Sequence, residues 1–403
     1  MRNYTFFPVR GLLFVSLVLA PFTAAFAVLD EFSPYVYSRV VYDSNLFRVS
    51  GKQEAEDLLG SNKKDDTIGY LGVGLKSDLK LSRQHLLLNA DVATVKYDRY
   101  NDLDNTQTNG DARWAWQVGN LWSGNLGYIY NKRLSSFDEQ QLPQKDMRTF
   151  QSGYFDGGYQ ITPDWELRAG VNHDDVSYET RNYLDRTSNA GRLEALYRNT
   201  LNTRVGTRIK YTSYNLNNTQ INGQSVNDDY DETVISGVFY WEGTAKSSLE
   251  ANLGYTMLRY NDSSLQDFNG ASGRLTYYWA VTGKTKLNIS AWRETSSLDA
   301  QIASYVLTQG ASIAPVWSVT RKVSLRGVVS YTNDDFKGEN DIRSSLGLQK
   351  RTDDTWLYGI SANWSPRDYL MVNVGYRYQN RSSTVKNDEF KDSQVNAEVK
   401  VTF

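Results

Sequence analysis

The 403-residue sequence contains no cysteine, which excludes disulfides and thiolate metal centres. It holds only two histidines, His85 and His173, so it offers little for acid–base catalysis. Beyond its amino-terminal stretch it has no run of 18 or more apolar residues, and therefore no candidate transmembrane helix. No Pro-, Gly- or Ser-rich linker interrupts the texture from Pro34 to Phe403, which predicts one domain. Basic excess is also missing, with 44 basic against 46 acidic residues, and that argues against nucleic acid as a partner. The mean hydropathy of −0.55 suits a soluble protein. It suits equally a wide barrel in which half of every strand faces water.

What is present is a period of two. Val395, Ala397, Val399, Val401 and Phe403 alternate with Gln394, Asn396, Glu398 and Lys400 to the final residue. One greasy and one charged face is the unit of a barrel that meets lipid outside and water inside. The same alternation places Leu249, Ala251, Leu253 and Tyr255 opposite Glu250 and Asn252, and Trp165, Leu167, Ala169 and Val171 opposite Glu166 and Arg168. Many runs reach nine residues, the length a tilted strand needs to cross a bilayer. At the other end, Arg2 and Arg10, the apolar Gly11–Ala20 and Ala25-Phe26-Ala27 read as a cleavable secretory signal over residues 1–27. Residues 28–403 would then be the barrel, with 42 basic against 46 acidic residues.

Short connections are predicted at Ser82–Gln84, Gly119–Ser123, Thr162–Asp164, Asn199–Asn202, Glu242–Lys246, Ala280–Lys284, Ser318–Lys322 and Ser365–Tyr369. Longer polar ones lie near 49–66, 101–110, 131–148, 174–187, 215–229, 261–269, 296–303, 332–353 and 379–390. The expectation is an all-β, antiparallel, up-and-down transmembrane barrel of about 18 strands, with 16 as the alternative and both termini in the periplasm of a bacterial outer membrane. The first strand is placed near Pro34–Arg48. Trp241, Trp279 and Trp317 recur every 38 residues, and with Trp364 they stand near short turns. Indole favours the headgroup boundary, so these four are candidates for a periplasmic girdle. Phe403 is the candidate terminal signal for the barrel-assembly machinery.

Phase also assigns the lumen. Arg168, Arg192, Arg198, Arg204, Arg208, Lys210 and Arg377 face inward, as do Tyr240 and Trp292. Guanidinium groups could attract anions and fork onto carboxylates, or pair with Glu166, Glu194 and Asp156 as a hydrated lining. The aromatics could stack on sugar faces or simply fill the wall. His173-Asp174-Asp175 has the residue types of a protease site, but His173 continues the lipid-facing phase. No enzyme, cofactor or resident metal is expected. Acidic runs at Asn227–Glu232 and Asn333–Asp341 could share divalent cations with lipopolysaccharide, or be solvated loops.

Pro34-Tyr35-Val36, followed by Tyr42-Asp43-Ser44-Asn45-Leu46-Phe47-Arg48, resembles the opening of EpsL-type outer-membrane proteins. Trp364-Ser365-Pro366 and Tyr376 to Ser383 resemble that family's penultimate hairpin. The family often has Asp-Asp-Asn where this sequence has Asp43-Ser44-Asn45. The resemblance implies a porin-like channel serving exopolysaccharide secretion, with polysaccharide, outer-membrane lipid and lipopolysaccharide as partners. The alternative is a general or selective diffusion porin for small solutes.

Overall fold

The computed structural model describes residues 31–403 except 139–142, 200–202, 218, 222–223, 227–228, 262–266, 297–304, 338–343, 345–346 and 348. The expected leader at 1–27 and Val28 lie outside the described residues.

Nine strands come first: β1 (Phe32–Asp43), β2 (Asp66–Leu81), β3 (Gln84–Tyr97), β4 (Asn105–Val118), β5 (Trp122–Leu134), β6 (Met147–Gln160), β7 (Trp165–Tyr178), β8 (Arg186–Arg198) and β9 (Arg204–Leu216). A small hairpin of β10 (Thr219–Ile221) and β11 (Gln224–Val226) stands apart from the wall. Nine more strands complete it: β12 (Tyr230–Thr244), β13 (Ser247–Tyr260), β14 (Phe268–Ala280), β15 (Thr285–Ser296), β16 (Val306–Ser318), β17 (Val323–Asp335), β18 (Thr352–Arg367), β19 (Leu370–Ser383) and β20 (Phe390–Thr402). Each pairs antiparallel with its neighbours, and β1 pairs with both β2 and β20. The wall is therefore a closed ring of 18 strands, and the 16-strand alternative falls away.

Closure is what lipid demands, because an open edge would leave amides unbonded in hydrocarbon. The period of two then sorts side chains by solvent. Leu193 is 64 % exposed on the outer face, whereas the next residue, Glu194, is 6 % exposed within. Leu253, Leu71, Val171 and Ile360 are likewise exposed outward. Trp279, Trp317, Trp364 and Phe403 stand exposed on that face, while Trp241 is half-buried beside an irregularity in the β12–β13 register. The Phe403 N–H donates to the carbonyl of Pro34, so the last residue is tied to the first strand.

Several boundaries differ from expectation, most of them because strands run further into the expected loops and turns. β1 ends at Asp43 rather than running to Arg48, because Ser44–Arg48 turn inward. β4 starts at Asn105, so the preceding loop is shorter than 101–110. The loop expected at 49–66 contains a helix, α1 (Lys52–Leu59), stopped by left-handed Gly60, whose N–H donates to the carbonyl of Glu56. Apolar side chains of this segment (Leu46, Phe47, Val49, Ala55) are buried with Ile68, Val95 and Tyr97 on the inner faces of β2 and β3. The first outer loop thus folds into the mouth.

The facing assignment makes a direct prediction. Leu253→Arg places a charge in lipid and should destabilise the barrel by ~2–4 kcal/mol. Asn252→Arg, one residue along and facing water, should change stability by less than about 1 kcal/mol. Equilibrium unfolding of both variants in lipid vesicles distinguishes them, and equal losses would contradict the facing.

Candidate channel lining and mouth

The densest inward charge sits on β7, β8 and β9. Alternation carries Arg168, Arg192, Arg198, Arg204, Arg208 and Lys210 to one stretch of inner wall because these three strands are consecutive in the ladder. Arg168 lies 3.5 Å from Asp156 and 3.7 Å from Glu166. Arg208 donates to Glu194 and to the Tyr240 hydroxyl, each at 2.9 Å. Arg204 covers the Tyr240 ring at 4.8 Å. Arg192, Arg198, Arg204 and Lys210 have no ion-pair partner among the described residues. The tier therefore carries more positive charge than its local carboxylates neutralise.

The other expected lining residues are elsewhere. Arg377 is on β19 across the ring and donates to Gln379. Trp292, on β15, lies under the Arg274 guanidinium at 5.2 Å, and Arg274 is bridged to Glu294. Both expected aromatic platforms, Tyr240 and Trp292, thus already carry a guanidinium on one face. A cavity of about 640 Å³ runs between the basic tier and the β12–β15 wall, with Arg192, Arg208 and Lys210 on one side and Glu232, Asn252 and Glu294 on the other.

His85 contacts Asp78 beside the first short turn, and His173 faces outward with Nδ1 2.8 Å from Asn189 Oδ1. The two are not brought together. The expected acidic runs are not open loops where they are described. Glu232 is buried and accepts from Thr295, while Asp334 accepts from Thr308 at 2.7 Å. No group of three or more His, Asp and Glu residues able to hold a metal occurs among the described residues.

The mouth holds a second constellation that alternation does not reveal. Arg48, 8 % exposed, reaches Asp43 at 3.1 Å, Asp138 at 2.9 Å and Asp392 at 3.5 Å. Asn45 donates to the carbonyls of Val49 and Lys391, and Ser44 donates to Asp392. This knot joins β1, the first outer loop and β20 where the ring closes. Beside it Arg351 pairs with Asp353 at 2.7 Å and lies 3.8 Å over Phe336, and Arg381 lies 4.6 Å over Phe390. Buried arginines persist here because each meets carboxylates and an aromatic face. Read in sequence as the end of the first strand, Asp43-Ser44-Asn45-Leu46-Phe47-Arg48 gives no sign that its charges meet Asp138 and Asp392.

Burial pushes the Asp138 carboxyl up, and the Arg48 charge with bonds from Ser136 and Arg48 more than offsets this, leaving it below its ordinary value. A carboxyl with a depressed folded value contributes stability above its unfolded pKa of ~3.9, and loses it as pH falls through the lower folded value. Acidification below about pH 4 should therefore release the Asp138 loop, read as faster amide exchange near 135–138. Arg48→Met should cost about 3–5 kcal/mol, because it strips buried Asp43 of its counter-charge. Unfolding of the variant measures it, and a change under about 1 kcal/mol would contradict the knot.

The family profile described as "Putative beta-barrel porin 2" matches residues 32–403. No curated protein matches the chain in sequence. Among solved structures, OccK2 (OpdF) of Pseudomonas aeruginosa is 10 % identical with a TM-score of 0.51, covering 93 % of this chain and 99 % of that one. OpdK of Pseudomonas aeruginosa with vanillate is 11 % identical with a TM-score of 0.50, covering 93 % and 100 %. At these identities the likeness is one of fold.

Proposed function

From its membership of this beta-barrel porin family, which makes the chain a porin-like channel of the bacterial outer membrane, we propose that it is a selective diffusion channel for small acidic solutes. The observation that carries this reading is the basic tier on β7–β9, four of whose six cations lack an ionic partner among the described residues. Nine strands around the ring, the inner wall of β18–β20 carries Gly359, Ser361, Asn373, Gly375 and Asn396 at mid-height, with Arg377 and Glu398 balancing each other in charge. A solute passing between them meets donors on one side and little repulsion on the other. A single anion ~4 Å from a guanidinium gains about 1 kcal/mol in bulk water and about 4 kcal/mol at a protein surface. Contacts of that size favour entry without preventing exit. The solved OpdK carries vanillate, a small carboxylate, which accords with this class of solute.

Polysaccharide secretion, implied by the resemblance at the chain ends, finds less support. The residues of the opening motif (Asp43, Asn45, Leu46, Phe47 and Arg48) are buried in the mouth, where they hold loops rather than line a polymer path. The inward first loop also narrows the entrance that an extended glycan would need.

Reversal potentials across planar bilayers in a KCl gradient test the proposal. The purified barrel should prefer chloride, and Arg192→Gln with Lys210→Gln should lower the anion-to-cation permeability ratio several-fold. Cation preference in the unaltered protein, or an unchanged ratio in the double variant, would overturn it.

A further inference from the structure

The cavity of about 640 Å³ between the basic tier and the β12–β15 wall holds charge of both signs. Some of it is matched locally. Arg208 is bridged to Glu194, Glu294 to Arg274, and Asp156 lies 3.5 Å from Arg168. Three charges on the lining are left over. Arg192 and Lys210 stand directly opposite each other on β8 and β9, and neither meets a carboxylate among the described residues. Glu232, on β12, meets no cation among the described residues.

Glu232 is the most unusual of the three. The residue is 7 % exposed, and its carboxylate accepts from the Thr295 hydroxyl. A carboxylate has room for about four donors, and burial without them is costly. The ladder brings a cation near without contact. Lys210 is opposite Val234, two residues from Glu232 on the same inner face, a diagonal spacing of roughly 7–8 Å between backbones. Glu232 is directed towards β15 instead, and the two charges stay apart. Three buried atoms on the same lining, Arg192 Nε, Ser236 Oγ and Asn252 Oδ1, also find no hydrogen-bond partner among the described residues. They add a donor beside the cations, and a hydroxyl and an amide oxygen on the β12–β13 side.

We propose that Arg192, Lys210 and Glu232 form one binding site for an acidic amino acid, with its carboxylates at the Arg192–Lys210 pair and its ammonium at Glu232. The match is one of sign and number. Two cations and one carboxylate complement two carboxylates and one ammonium, whereas a plain dicarboxylate leaves Glu232 unanswered. The guanidinium fork of Arg192, with its free Nε–H, suits a carboxylate. Ser236 and Asn252 accept from the ammonium, which has three donors. The cavity is of the size in which proteins hold small solutes. This site rests on the anion-channel reading above and narrows its solute class.

A pair of solutes differing by one group tests it. L-Glutamate and glutarate share two carboxylates, and only L-glutamate has an ammonium. Each is added to purified barrels in planar bilayers in KCl, and the fall in chloride current is titrated. L-Glutamate should act at a roughly fivefold lower concentration than glutarate. Glu232→Gln, which keeps an acceptor for Thr295 and loses the charge, should bring the two midpoints together. Lys210→Gln should raise both. Glu250→Gln removes a carboxylate on β13 outside the cavity and should leave the preference for L-glutamate intact. The mobility of unheated protein on SDS gels verifies that each variant is folded. Equal midpoints in the unaltered barrel, no fall in current with either solute, or a preference that survives Glu232→Gln would overturn the site. So would an equal loss of preference in Glu250→Gln, the mark of a diffuse field. Reversal potentials of the same barrels keep the two readings apart. Cation preference would remove the anion channel itself, whereas chloride preference with equal midpoints would remove this site alone.

Discussion

Every backbone amide of a membrane-spanning strand must find a partner within the protein, because hydrocarbon provides none. The 18-strand ring meets that demand by pairing each strand on both sides, including the first with the last. Where the ladder runs short, other groups intervene. At the closing seam, Ser44 and Asp392 extend the contact of β1 and β20, and the Ser44 N–H donates to the carbonyl of Ser393. At the parting of β14 from β15, the Arg293 side chain bonds the exposed carbonyl of Ala271. The seam and the parting are thus two answers to one requirement.

Closure also divides the polar residues into two electrostatic regimes. From Arg198 and Arg204 at the periplasmic ends of β8 and β9 up to Arg192 and Lys210, the basic tier faces the lumen, and several of its cations stay without carboxylate partners among the described residues. Hydration makes such a tier tolerable and leaves it free to act on passing solutes. At the mouth, loops fold over the inner wall and exclude water, so Arg48, Arg351 and Arg381 are matched with Asp43, Asp353 and Asp392. The same residue type therefore offers binding where it is wet and cohesion where it is dry. The aromatics divide likewise: Tyr230, Tyr260 and Tyr305 form a packed core beneath the outer loops, whereas Tyr240 lies on the basic tier.

Period-two runs carried the ring with little help from context. Leu249 to Tyr255 and Val395 to Phe403 announce both strand and facing, because alternation on a pleated strand is a local property. The eight short connections, with the nine longer ones between them, pointed to about 18 strands and left 16 open. The mouth was not legible in this way. Asp43 to Arg48 looks like the end of a strand, and α1 falls within what looks like a polar loop. Leu46, Phe47 and Val49 gain their meaning only from Ile68, Val95 and Tyr97, which the closed ring sets opposite them.

The amino-acid order alone determined that this chain makes amphipathic strands joined by short and long turns, since each strand's two faces are set by its own residues. Only the tertiary structure decided which cations share a wall, which carboxylates leave Arg192 and Lys210 unmatched, and that the β14–β15 ladder stops at Gly273 and Arg293. Those outcomes depend on the register of strands far apart in the chain and on which inner faces the closed ring sets opposite one another. Neither can be read from any one segment.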